Sequence, residues 1–163
     1  TRATESGEVA LSFPKARTVV SQKNFSHGSN PGLRERASYI KENIEPILTG
    51  DHRFSENNEE ILPGITVHQA HGHTPGLQWI KIKDEKDTIV YPADLIPTAS
   101  HIQIPYVMGY DLCAETAMAE KSAFLRSAVA ENWLIVFEHD SQCPAGRVSL
   151  GADGKFVFSP FQQ

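Results

Sequence analysis

The sequence predicts a mixed α and β domain in which helices are laid against sheets, and three observations carry that prediction. Short strand-like segments recur along the chain, one long amphipathic helix follows Asp111, and histidine or aspartate stands just past the end of several predicted strands. The class is α+β, a mixed sheet with flanking helices. The 163 residues, 40% apolar and 21% charged, have ordinary globular composition and suffice for a single domain over 1–163 with a sizeable core.

The elements follow in order. Val9 to Phe13 and Arg17 to Ser21 read as short strands separated by Pro14 and a lysine turn. Ser26 to Gly32 is rich in turn-forming residues and reads as a loop. Leu33, Ala37, Ile40, Ile44 and Leu48 recur at steps of three and four, which predicts an amphipathic helix interrupted near Pro46. Gly50 to Glu60 is polar and is expected to be exposed. Ile65 to His68 predicts a strand entering His71-Gly72-His73-Thr74-Pro75-Gly76. Leu77 to Ile82 and Thr88 to Tyr91 predict a hairpin through the charged turn Lys83 to Asp87.

Ile96 to Tyr110 is a long connection rich in proline, histidine and aromatic residues, suited to the wall of a pocket. Asp111 reads as the N-cap of a helix from Leu112 to about Glu131, with a buried stripe of Ala114, Ala117, Met118, Leu125, Ala128 and Val129. Leu134 to Phe137 predicts a buried strand before Glu138-His139-Asp140. Val148 to Leu150 and Phe156 to Phe158 predict a closing hairpin.

Charge and composition exclude several classes. A net charge of −5 with scattered basic residues offers no surface for nucleic acid. No apolar run approaches the ~18 residues of a membrane helix, so no membrane partner is expected. Cys113 and Cys143 form neither a disulfide framework nor a CxxC knuckle; read as free thiols, they favour a cytoplasmic protein. The chain opens on Thr1 and not on methionine, so the lack of a visible signal peptide carries little weight.

Seven histidines matter here chiefly for their placement. His71 and His73 follow one predicted strand, Asp94 another, and His139 a third. Side chains at strand ends can converge on one rim of a sheet, and a His, Asp, His set offers nitrogen and oxygen donors to a metal. Taken singly, each residue reads more readily as a hydrogen-bonded structural histidine or a turn aspartate than as a ligand.

Context sharpens this. Gly72-His73-Thr74-Pro75-Gly76, Tyr91-Pro92-Ala93-Asp94-Leu95 and Phe137-Glu138-His139-Asp140 resemble, in order and interval, three successive motifs of the metallo-β-lactamase superfamily. The resemblance runs from about Glu8 through Asp140 and implies the C-terminal half of an αββα sandwich. It implies that His73 completes one metal site, that Asp94 bridges two metals, and that His139 ligates the second. His71 has no ligand role in that pattern and is expected to support or shape the site. Asp140 could orient a ligand, although a surface charge is the simpler reading.

The superfamily's His-x-His-x-Asp-His segment, with its further ligands, is not in these 163 residues. It is expected upstream of Thr1 or on a separate chain carrying the N-terminal half. The 163 residues alone are then expected to hold metal poorly and to be inactive. The intact protein is expected to use two zinc ions, or other divalent metals, to activate water against an ester, lactone or phosphoester-type small molecule.

The helix ending in Phe-Glu-His-Asp resembles the lactonase-like and organophosphate-hydrolase-like branches. Asp94 and Tyr106 are the candidate catalytic residues. Tyr110 and His101, like Tyr106, could donate a hydrogen bond to a substrate carbonyl, or could simply pack within the loop. A metal-free binding or scaffold protein of the same fold is the alternative.

Overall fold

The computed structural model describes residues 1–161. Residues Thr1–Glu56 form one compact unit, and the chain from Asn57 onward forms another.

In the first unit, β1 (Arg2–Ala3) pairs antiparallel with β2 (Val9–Ala10), so only the start of the expected Val9 to Phe13 strand is realised. β3 (Thr18–Ser21) leads into α1 (Gln22–Ser29), whose N-cap is Ser21, its hydroxyl accepting the Asn24 N–H. This helix replaces most of the expected Ser26 to Gly32 loop. Glycine is accepted in it because a Cβ on Gly28 would stand 2.5 Å from the Tyr39 ring. Packing has overridden the local turn preference.

The expected Leu33 to Leu48 helix shrinks to α2 (Lys41–Ile44) with a 3-10 turn over Glu45–Thr49. Its apolar stripe has little to bury against, since Leu33, Ile40 and Leu48 are all exposed. Pro46, which cannot donate to an α-helical ladder, falls at the change to 3-10 geometry. The polar Gly50 to Glu60 stretch is not a bare loop: β4 (His52–Ser55) pairs parallel with β3, and Ser55 is buried.

The second unit is built on a seven-stranded sheet. β5 (Glu59–Leu62), β6 (Ile65–Ala70), β7 (Leu77–Lys83) and β8 (Thr88–Tyr91) form an antiparallel meander. The chain then crosses through α3 (Ala114–Ala130) to β9 (Leu134–Val136), which lies parallel to β8. A parallel neighbour requires such a crossover. β10 (Ala145–Leu150) and β11 (Phe156–Pro160) close the order β11-β10-β9-β8-β7-β6-β5.

The core lies where α3 meets the middle of the sheet. Val90 and Ile135, paired across the parallel ladder, have no exposed surface, and neither have Leu125 and Ala128 of α3. Side chains of this size each contribute about 1.5–3 kcal/mol when fully buried. Trp79, Phe124 and Trp133 add a cluster of ring contacts with centroids 5.0 to 6.0 Å apart. The buried stripe of α3 is Ala117, Lys121, Phe124, Leu125 and Ala128, so a lysine sits where only apolar residues were expected. Leu62, Ile82, Ile89, Leu150 and Val157 of the same sheet are exposed.

Candidate metal centre

Strand direction brings the site together. β6 is antiparallel to β7, β7 is antiparallel to β8, and β8 is parallel to β9. The carboxyl ends of β6, β8 and β9 therefore emerge at one edge of the sheet. Past those ends stand His73, Asp94 and His139.

His73 Nε2 lies 3.3 Å from Asp94 Oδ2, and His139 Nε2 lies 3.2 Å from Asp94 Oδ1. One carboxylate thus faces an imidazole with each oxygen. Asp94 Oδ1 is shut off from solvent and makes no well-aligned hydrogen bond. Such an orphaned acceptor between two imidazoles is what a bound cation satisfies, and His nitrogen with carboxylate oxygen suits zinc. Asp94, Glu138 and His139 also present ligand atoms within 4.8 Å of one another.

Local structure holds each loop in place. After β6, Gly72 packs so tightly on α3 that a Cβ there would meet the Ala117 backbone nitrogen at 2.1 Å. Glu120 of α3 accepts the N–H groups of His71 and Gly72 at 2.8 and 3.0 Å. Thr74 to Leu77 then turns sharply, with Leu77 N–H on Thr74 O and Gly76 at φ 77°. His71 closes this loop by accepting the Gly76 N–H at 3.0 Å, and this is where the structure places it. Asp94 follows Ala93, whose φ of 49° is a strained value for a residue with a side chain. His139 is tied back through its N–H to Pro97 O.

The strongest support for His73 comes from a residue read as something else in the sequence. Asp111 is not the N-cap of α3; that position belongs to Cys113. Asp111 is buried and its Oδ1 accepts from His73 Nδ1 at 2.8 Å, while Oδ2 accepts the Met108 N–H. Bound in this way, Nδ1 carries the proton and Nε2 is the nitrogen turned toward Asp94. Burial by itself would lower the His73 pKa, but the Asp94 and Asp111 carboxylates outweigh it and raise it. Hydrogen bonding to His73 holds the Asp94 carboxyl below its ordinary value, against the opposing effect of burial.

The remaining candidates are more dispersed. Tyr110 is exposed but stands edge-on to His73, ring centroids 5.9 Å apart. Tyr106 is 60% exposed on the long connection, and His101 Nδ1 is engaged by Thr98 Oγ1 at 2.8 Å. Asp140 accepts N–H groups from Ala99, Gln142 and Cys143, so it knits the turn after His139 to the long connection. Glu138 was not singled out in the sequence; Tyr91 hydrogen-bonds it, and burial followed by this carboxylate raises the Tyr91 pKa. Its only sequence signal was its place beside His139. Cys113 is exposed, Cys143 half-buried, and both are free thiols.

The mixed sheet with flanking helices is the metallo-β-lactamase fold, shared with solved hydrolases over part of their chains. No family model matches the chain. It is 28% identical over 114 residues to an N-acyl homoserine lactonase of Bacillus cereus, a match covering 68% of this chain and 44% of that relative. Among solved structures, AidC, a dizinc quorum-quenching lactonase in complex with a product, superposes with a TM-score of 0.79 at 23% identity. That match covers 96% of this chain and 60% of AidC. A probable metal-dependent hydrolase from Staphylococcus aureus gives 0.81 at 24% identity, covering 95% and 56%. The hydrolase AbOPH of the beta lactamase superfamily gives 0.74 at 16%, covering 95% and 60%. The chain therefore spans less than half the length of its curated relative and somewhat over half that of these structures.

No helix among the described residues is long and apolar enough to cross a membrane.

Proposed function

We propose that this chain belongs to a metal-dependent hydrolase that opens an N-acyl lactone ring, and that the ligands missing from it are supplied by a segment ahead of Thr1 or by a separate chain. The observation that carries this is the Asp94 carboxylate set between His73 and His139, one imidazole to each oxygen. The likeness to lactonases favours a lactone over a phosphoester.

His73, Asp94 and His139 are the residues that would hold metal, two zinc ions by the donor chemistry, with Glu138 within reach of the second site. When bound, the metals supply water activation at neutral pH and polarisation of the ester carbonyl. The chain's own residues do the rest. Asp111 fixes the His73 ring and the position of its proton. Asp94 holds the two histidines to a shared charge. The Tyr110 ring screens one side of His73 from water. Tyr106 and Tyr110 offer phenol O–H groups to a substrate oxygen, and His101 offers its ring from the same connection. The same connection carries the apolar residues Ile104, Val107 and Met108, and its apolar character suits an acyl group.

The test is metal content by elemental analysis together with lactone turnover, measured on the protein with its complete ligand set. About two zinc ions per site and measurable ring opening are expected. Asp94→Ala should abolish both, and full activity in that variant would sink the assignment. A protein with neither metal nor turnover would be a metal-free binding module of this fold.

A further inference from the structure

Lys121 is on the inner face of α3 with 1% of its surface exposed, between Ala117 and Leu125 at four-residue steps along the buried stripe. A lysine in such a place must find its hydrogen bonds within the protein. Its ammonium does so: Nζ donates to the carbonyl oxygens of His101 and Gln103 at 3.0 Å and of Tyr106 at 2.6 Å. Three donors meet three acceptors, all within six residues of the long connection between Asp94 and Asp111. Burial pushes the ammonium pKa down to about 8, with Asp111 acting in the opposite sense.

The connection is fastened to the metal centre at both ends. At its start, Pro97 O accepts the His139 N–H and Ala99 N–H donates to Asp140. At its end, Asp111 holds His73, Tyr110 packs against the same ring, and Leu112 N–H donates to His73 O. The middle, from His101 to Met108, pairs with no strand. Among the described residues, Lys121 and the Gln103 Nε2 donation to Phe156 O anchor it, beside its own turns, the Thr98–His101 side-chain contact and Met108 N–H on Asp111 at its end. This middle carries Tyr106, proposed above as a hydrogen-bond donor to substrate, and the apolar Ile104, Val107 and Met108, proposed above to suit the acyl group.

We propose that Lys121 is a positioning residue that holds the 101–106 backbone in one curve and thereby sets which acyl-chain lengths the site accepts. The proposal rests on the lactone reading. Lys121 touches neither substrate nor metal; it acts through the wall.

The experiment compares wild type with Lys121→Met, which keeps an apolar stem and removes the ammonium donor from the carbonyls of His101, Gln103 and Tyr106. Two readouts are taken on the complete protein. Amide hydrogen exchange over residues 101–110 is expected to rise about tenfold, the scale of one lost charged hydrogen bond, with β6 to β8 unchanged. The KM for a long-chain N-acyl homoserine lactone is expected to rise by about the same factor, with kcat held and the KM for a short-chain lactone within about twofold.

A variant with a lower melting temperature but unchanged exchange over 101–110 and an unchanged ratio of long-chain to short-chain KM would overturn the proposal. Lys121→Gln keeps two N–H donors and removes the buried charge. Should the Met variant fail to fold, it must show smaller changes of the same kind. Absence of lactone turnover in wild type would defeat the functional reading and the acyl preference with it. The exchange comparison would still uphold or overturn the clamp itself.

Discussion

Asp111 Oδ1 lies 2.8 Å from His73 Nδ1, on the opposite side of the imidazole from Asp94. The buried carboxylate fixes both the orientation of the ring and the nitrogen that carries its proton. Asp111→Asn keeps the shape of the side chain and removes its charge. Zinc affinity is expected to fall about 10- to 100-fold with the fold retained, read by competition against a chromophoric chelator. An unchanged affinity would mean that Asp111 is a loop residue without influence on the metal.

Gly72 is a second lever on the same histidine. The obstruction to a side chain there is the α3 backbone at Ala117, whose nitrogen and Cα would lie 2.1 and 2.4 Å from a new Cβ. Gly72→Ala should push the 71–76 loop away from the helix, cost about 1–3 kcal/mol in chemical denaturation, and weaken metal binding. Adding Ala117→Gly removes only a Cβ and leaves the backbone clash, so it should not restore either property. Full recovery in the double variant would show that the obstruction is the Ala117 methyl group.

The pH dependence of folding has a clear contributor outside the candidate metal centre. His68 stacks on its cross-strand partner Trp79 with ring centroids 3.8 Å apart, and its Nδ1 hydrogen-bonds Asn58 Oδ1 at 2.6 Å. Its Nε2 is buried without a hydrogen-bond partner among the described residues, so a proton there would be stranded. Burial first, and the Lys81 charge second, lower its pKa below the ordinary 6.5. The folded state therefore resists protonation. The stability this gives is complete above 6.5 and falls away as the pH drops through that value toward the lowered folded pKa.

His73 contributes with the opposite sign in the metal-free protein. Its raised pKa gives stability below 6.5 that is lost as the pH rises through the folded value. A paired comparison cancels that term. Between about pH 7.5 and about pH 5.5, wild type should lose more melting temperature than His68→Phe, which keeps the stack and cannot titrate. Parallel curves would remove His68 from the account.

The readable part of this protein is its strand pattern. Ile65 to Ala70, Leu77 to Lys83, Thr88 to Tyr91 and Leu134 to Val136 form where alternation and apolar runs place them, because a sheet buried under α3 imposes those periods on the sequence. His73, Asp94 and His139 were legible as strand-end residues for the same reason.

Asp111 and Lys121 were not legible. Asp111 satisfies the local signal for a helix cap, and its partner His73 lies 38 residues away. Lys121 falls on the spacing of the buried stripe, but a lone lysine on a helix reads as solvated until three distant carbonyls are seen to converge on it. The first unit went astray for a related reason. The Leu33 to Leu48 periodicity promised a helix, but a stripe forms one only where there is a core to receive it, and Leu33 and Leu48 remain exposed. Local pattern thus determined the strands and the order of the candidate site residues. The buried charges that hold the site in shape depend on contacts between residues far apart in sequence, and those arise only in the folded chain.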